Sequence, residues 1–138
     1  MISKVFHRVP HATIKGVMIQ RMVIEGRELI LGAKRDPQVG PVIIFGWGRV
    51  YTELLKDFSC GIPPITREAE EMISRTQVSK LLEGFRGELP SDRVFIKECI
   101  LRLSQIISEF PEITEIDINP LKVFPKNGVA IDVRAVGQ

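Results

Sequence analysis

The sequence predicts an α+β domain, a mostly antiparallel sheet with helices packed on one side. Three observations predict it. Apolar, β-branched stretches with their turn signals occupy the chain before residue 60, helical spacing of three and four is confined to Thr66–Phe110, and a hairpin closes the chain after Pro111. Strands and helices segregated in this way give an antiparallel sheet rather than the alternating units of a doubly wound parallel one. At 138 residues the chain is one domain, 1–138, long enough to bury a core.

Taken in order, residues 1–12 hold His7 and His11 with Pro10 between them. A histidine pair four apart on a helix can bind metal, but Pro10 argues against a helix through both. Ile14 to Ile24 reads as a strand, and Glu28 to Arg35 as a second, turned through Glu25-Gly26-Arg27. Asp36 to Pro41 is a loop by its Pro and Gly content. Val42-Ile-Ile-Phe45, wholly apolar, is expected to be a central buried strand, and Gly46-Trp-Gly48 turns it into a strand over Val50–Leu55. Because β follows this GxG rather than a helix, the mechanics of a dinucleotide fingerprint fail; the glycines serve a tight turn or a close approach of backbone to ligand.

Gly61 to Ile65 reads as a Pro-containing loop, after which Thr66 is placed as N-cap of a helix with Glu68, Glu70 and Glu71 in its first turns. Ala69, Met72 and Ile73 are its buried stripe. Val78 to Glu83 is a short second helix stopped by Gly84 and Gly87. Ser91 is placed as cap of the longest helix, with Ile96, Ile100, Leu103, Ile107 and Phe110 as its core face.

Composition excludes more than it assigns. The 44% apolar and 26% charged content is that of an ordinary soluble globular chain. A net charge of +2 with interspersed signs gives little support to a nucleic-acid partner. Cys60 and Cys99 have no metal-ligand spacing and suggest free thiols in a reducing compartment. No run approaches a membrane span and no signal-peptide core is seen, so the expected location is the cytoplasm.

The closing segment carries the chemistry. From Glu115 to Asn119 polar and apolar residues alternate, so Glu115, Asp117 and Asn119 share one strand face. A turn through Pro125-Lys126-Asn127-Gly128 would place Leu121 opposite Asp132 and Asn119 diagonally across from Asp132. Diagonal neighbours lie roughly 7–8 Å apart at Cα. A carboxylate and an amide oxygen on one face can hold Mg²⁺ with its remaining positions left to water and phosphate. The pattern alone equally describes polar residues on a solvated strand.

Several ordered motifs carry a resemblance. They are Gly-Arg-Glu-Leu-Ile (26–30), Arg-Asp-Pro-Gln-Val-Gly-Pro (35–41), Phe-Gly-Trp-Gly (45–48), Leu-Lys-Asp-Phe-Ser (55–59), Leu-Leu-Glu-Gly-Phe-Arg-Gly (81–87), Phe-Pro-Glu-Ile-Thr-Glu-Ile-Asp-Ile-Asn-Pro-Leu (110–121) and Ala-Ile-Asp-Val-Arg (130–134). Together they resemble the ATP-grasp domain of NDP-forming acyl-CoA synthetases, the acetate:CoA ligase (ADP-forming) type, related to succinyl-CoA synthetase β chains. The resemblance implies an enzyme activity. Acyl-CoA, ADP and phosphate are exchanged for a free acid, CoA and ATP through a phosphohistidine carrier. It also implies Mg²⁺ and ATP/ADP as cofactors, with Asn119 and Asp132 as Mg²⁺ ligands. Glu28 resembles the carboxylate that accepts from the ribose hydroxyls, and Gln20, Arg21, Met22 and Val23 correspond to the hinge that reads the adenine edge. Arg35 is open between neutralising phosphate and a structural pair, Arg134 between phosphate and a strand flank, and Glu115 and Asp117 between orienting metal-bound water and simple solvation.

The resemblance covers only the later, C-terminal subdomain of an ATP-grasp domain. The expected partners are ATP, an earlier ATP-grasp subdomain and a CoA-binding α chain or domain, with no membrane, and the isolated chain is expected not to turn over. Two departures stand out: Gly48-Arg49 replaces the usual Gly pair, and Cys60-Gly61-Ile62-Pro63-Pro64 replaces Phe-Arg-Leu-Ala-Pro, losing an arginine. They leave an alternative, a non-catalytic ATP-grasp remnant acting as a regulatory or protein-interaction module.

Overall fold

The computed structural model describes residues 13, 15–48, 57–84 and 87–138. Among these residues six strands form one sheet, β1 (Arg27–Asp36), β2 (Gly40–Trp47), β3 (Phe58–Gly61), β4 (Ile113–Val123), β5 (Gly128–Ala130) and β6 (Val133–Gly137). Their order is β3-β2-β1-β4, and both β5 and β6 pair with β4. Every pairing is antiparallel. Between β3 and β4 the chain forms α1 (Glu68–Ser74), α2 (Val78–Leu82) and α3 (Arg93–Glu109).

Alternation within the strands fixes which face the helices cover. Leu29, Leu31 and Ala33 of β1, Ile43 and Phe45 of β2, and Ile116, Leu121 and Val123 of β4 are all buried. They form one cluster with Ala69, Met72 and Ile73 of α1 and Ile96, Ile100, Leu103 and Ile107 of α3. Each Leu, Ile, Val, Phe or Met side chain among them contributes about 1.5–3 kcal/mol when fully buried. The opposite face carries Glu28, Gly32 and Lys34 of β1 and Glu115, Asp117 and Lys122 of β4, and no helix among the described residues lies on it. The predicted α+β class, antiparallel sheet and one-sided helix layer are what the structure has.

Several local expectations change. Residues 15–24 have no regular structure, where a strand was expected. Both edges of β1 are already taken, by β2 and β4, so this segment has no place beside it. Met18 and Ile19 in it are 81% and 93% exposed. A strand, β3, stands where the Pro-containing loop was expected to begin, pairing Phe58 with Gly46 and Gly61 with Ile43. Gly46 permits it: a Cβ there would lie 2.5 Å from the Asp57 carbonyl oxygen. The glycines of Gly46-Trp-Gly48 thus admit neighbouring backbone. The strand expected over Val50–Leu55, like His7, His11 and Arg49, lies outside the described residues.

The caps shift as well. The α1 N-cap is Arg67, without a side-chain cap bond, and Thr66 instead donates its N–H to Glu68 Oε2 at 3.0 Å. Asp92, not Ser91, caps α3, accepting from the Phe95 N–H at 2.9 Å. Ser91 is buried and donates its N–H to the Leu82 carbonyl at 2.8 Å. Phe110 ends α3 half exposed rather than in the core. The α2 N-terminus takes its cap from afar: both Asp57 carboxylate oxygens accept, from Gln77 N–H at 2.7 Å and Val78 N–H at 2.8 Å. No helix among the described residues is long and apolar enough to cross a membrane.

Candidate functional site

The uncovered sheet face holds Glu28, Asn119 and Asp132, and the register of β4 decides where they stand. Val123 faces Gly128, Leu121 faces Ala130 and Ile118 faces Val133, one continuous register. Within it Asn119 and Asp132 are directly opposite, with the Asn119 N–H donating to the Asp132 carbonyl at 3.1 Å. The expected register, with Leu121 facing Asp132, is therefore displaced by two residues. The loop begins at Phe124, whose N–H donates to the Asn127 carbonyl at 3.0 Å. Asn127, at φ 66°, takes the left-handed conformation, which Asn tolerates better than most residues. The α3 cap holds this loop: Asp92 Oδ2 accepts from the Asn127 N–H at 2.8 Å, and the Asp92 N–H donates to the Phe124 carbonyl at 2.8 Å. Gly128 is needed for close approach, since a Cβ there would lie 2.4 Å from Phe95 Cε1 and 2.6 Å from the Lys122 carbonyl oxygen.

Opposite strand positions place Cβ atoms about 4.5–5.5 Å apart, closer than the diagonal expected from the sequence. Between Ile118 and Leu121 β4 uses one residue more than β1 does between Leu31 and Leu29, a bulge at Asn119-Pro120. Bulges bend a strand and re-aim its side chains. Asn119 and Asp132 are both exposed, and Asp117 faces Gly32 on one side and Arg134 on the other. An amide oxygen and a carboxylate side by side and open to solvent are hard donors that suit Mg²⁺, with its other positions filled by water and phosphate. The described residues bring no three His, Cys, Asp or Glu side chains together.

Glu28 lies on the same face, directly across from Lys122 of β4. Lys122 Nζ stands 3.3 Å from Glu28 Oε1 and donates to the Ile24 carbonyl at 3.0 Å. Glu28 is also held through its backbone, its carbonyl accepting from the Gly48 N–H at 3.0 Å. A Cβ on Gly48 would come within 2.9 Å of Leu29 backbone atoms, so only glycine permits this approach. Of the hinge residues, Gln20, Arg21 and Met22 are exposed and Val23 is half buried. They lead to Ile24, which with Glu28, Lys122, Trp47, Leu81 and Pro125 helps line a cleft of about 730 Å³ at this end of the sheet. Asn119 and Asp132 lie outside that cleft.

Other candidates resolve differently. Arg35 is on the helix side, donating from Nη2 to the Ile107 carbonyl at 2.6 Å and from Nε to the Ile113 carbonyl at 3.4 Å. It closes the C-terminal turn of α3, where a cation is favoured, and has no part in the uncovered face. Gly61 also faces the helices: a Cβ there would lie 2.6 Å from Met72 Sδ and 2.9 Å from Ile65 Cδ1. The lost arginine of that motif is thus missing from the side away from Asn119 and Asp132. Sequence reasoning missed Lys122. The available signal was a lysine between two apolar residues, Leu121-Lys122-Val123, but only the register shows it meets Glu28.

Known proteins resemble this chain over most of its length. The chain is 48% identical over 137 residues to the acetate–CoA ligase [ADP-forming] I of Archaeoglobus fulgidus, covering 99% of this chain and 20% of that protein. It is 42% identical over 128 residues to the subunit beta of acetate–CoA ligase [ADP-forming] I of Pyrococcus furiosus, covering 92% of this chain and 55% of the subunit. A solved structure of the dinucleotide forming acetyl-coenzyme A synthetase 1 of Ca. Korarchaeum cryptofilum superposes with a TM-score of 0.80 at 41% identity, covering 84% of this chain and 55% of that one. That structure holds coenzyme A and Mg-AMPPCP, with its phosphohistidine segment pointing towards the nucleotide binding site. This chain thus spans a fifth of the first relative and somewhat over half of the second. The ATP-grasp domain profile matches residues 1–136. With the fold, the ordered motifs and that match in agreement, the chain belongs to the ATP-grasp domain family.

Proposed function

We propose that this chain is the later half of an ATP-grasp domain and forms the nucleotide- and Mg²⁺-binding half of an ADP-forming acyl-CoA synthetase. The reaction would pass a phosphoryl group between ADP/ATP and a phosphohistidine carrier, coupled to interconversion of acyl-CoA and free acid. The relatives' names and the Mg-AMPPCP and phosphohistidine segment of the Korarchaeum structure support this reading. The observation that carries it is the direct opposition of Asn119 and Asp132 on the uncovered face, with Glu28 on the same face at the hinge end.

Asn119 and Asp132 would hold Mg²⁺, which when bound neutralises charge on the transferring phosphoryl oxygens. Glu28 would accept from ribose hydroxyls, and the backbone of Gln20–Val23 would meet the adenine edge while apolar side chains cover the ring. Lys122 and Asn119 are three residues apart on β4, roughly 10 Å of strand, which separates a sugar subsite from a phosphate subsite. The chain's task is to bind and orient; the second wall of the site and the phosphohistidine would come from an earlier ATP-grasp subdomain and a CoA-binding α chain or domain.

The remnant alternative loses part of its basis, because Gly61 faces the helix layer. Calorimetric titration of Mg-ATP, with this chain alone and then with the earlier subdomain present, tests the proposal. Binding that requires both the second half and Mg²⁺ is expected. Absence of binding in the mixture would overturn it.

A further inference from the structure

Lys122 occupies an unusual position. It lies on the face the helices leave bare, yet its side chain is only 10% exposed. An ammonium is removed from water at this cost only when partners are supplied. Here they are the Ile24 carbonyl at 3.0 Å and Glu28 Oε1 at 3.3 Å. One belongs to the end of the hinge and the other is the proposed ribose carboxylate, and all three residues line the same cleft. Without Lys122 the segment ending at Ile24, which has no regular structure of its own, loses this attachment to the sheet. Glu28, whose side chain is 37% exposed, would be left free to sample several rotamers.

We propose that Lys122 is a positioning residue for the nucleoside subsite, fixing at once the Glu28 carboxylate and the distance from hinge to sheet. This rests on the reading of Glu28 as the ribose-binding carboxylate. The ammonium donates to the Ile24 carbonyl and stands in ion-pair range of the Glu28 carboxylate, so one side chain sets where the base edge and the sugar are read. The consequence is specificity for ribose over deoxyribose that depends on a residue touching neither.

The test uses the complete enzyme carrying this domain, with ADP and 2′-deoxy-ADP as probes and the variants Lys122→Met, Lys122→Arg and Glu28→Gln. Met keeps the buried stem, and its thermal unfolding midpoint checks the fold. Lys122→Met is expected to raise the KM for ADP about tenfold, the worth of one charge-assisted hydrogen bond, with kcat little changed. Lys122→Arg should recover most of the loss. The decisive readout is coupling. In the unaltered enzyme, loss of the 2′-hydroxyl should raise KM about tenfold, and in Lys122→Met it should add little. Equal losses for both nucleotides in Lys122→Met and the unaltered enzyme, or failure of Arg to restore KM, would overturn the inference. If Glu28→Gln still discriminates ribose fully, the reading of Glu28 falls instead, and the role of Lys122 with it.

Discussion

Asn119 and Asp132 face each other directly across the last hairpin, joined by the hydrogen bond from the Asn119 N–H to the Asp132 carbonyl at 3.1 Å. The two side chains that would share a cation are therefore fixed to one another through their own backbones. Asp132→Asn keeps that bond and the side-chain volume but removes the charge. Phosphoryl transfer in the complete enzyme should fall by about 10²–10³-fold, as when a group that stabilises transition-state charge is lost, with the circular dichroism spectrum unchanged. Turnover within a fewfold of normal would remove Asp132 from the metal site.

Arg35 separates structure from chemistry. Replacing it with Met deletes the donors to the Ile107 and Ile113 carbonyls. Hydrogen bonds from charged groups contribute about 1.5–3 kcal/mol, so denaturant unfolding should show a loss of that order. Nucleotide KM in the folded variant should stay as it was.

Gly128→Ala drives a methyl into Phe95 and the Lys122 carbonyl oxygen. Overpacking of this kind costs about 1–3 kcal/mol. Because the contact is with backbone on one side, the hairpin must move, and Mg²⁺-dependent nucleotide binding should weaken together with stability. A stable variant with intact binding would show that the hairpin adapts.

Acid should loosen the same region. The Asp92 carboxyl is lowered from its ordinary value of 3.8, first by the Asn127 N–H and then by the Phe95 N–H. A carboxylate depressed in the folded state contributes stability above its unfolded value and loses it as pH falls through the folded value. As pH falls below about 4, the Asn127 amide should therefore lose protection against exchange in excess of any loss at helix-interior amides. Asp92→Ala should abolish that excess and cost about 1 kcal/mol at neutral pH, as for other N-cap removals.

Much of this was legible in the sequence because periodicity and turn residues are local. The α1 stripe, the α3 stripe as far as Ile107, the strand through Val42–Phe45 with Ile43 and Phe45 buried, and the alternation from Glu115 to Asn119 stand as read. What escaped depends on partners distant in the chain. Residues 15–24 are as apolar as a strand but find both neighbours of β1 taken. Phe58–Gly61 becomes a strand because Gly46 lets it approach. The hairpin was misplaced by two residues for a deeper reason. A slip of one would turn every side chain to the wrong face, but a slip of two preserves the faces and leaves the hydrophobic pattern almost indifferent. Lys122 was invisible for the same reason, since its pairing with Glu28 is a matter of register alone.

That degeneracy gives the Asp92 contact a meaning beyond capping. The apolar pattern would allow two alignments that bury the same kind of side chain, and only the observed one sets Asp132 beside Asn119. A contact that belongs to the observed alignment is that of the helix behind the sheet, which holds Phe124 and Asn127 through Asp92. A protein that lost this grip could keep its secondary structure, its core and most of its stability while a fraction of molecules carried the carboxylate two positions out of place. Such molecules would pass most tests of folding and still be unable to bind the ion, so competence for chemistry here is decided by alignment as well as by stability.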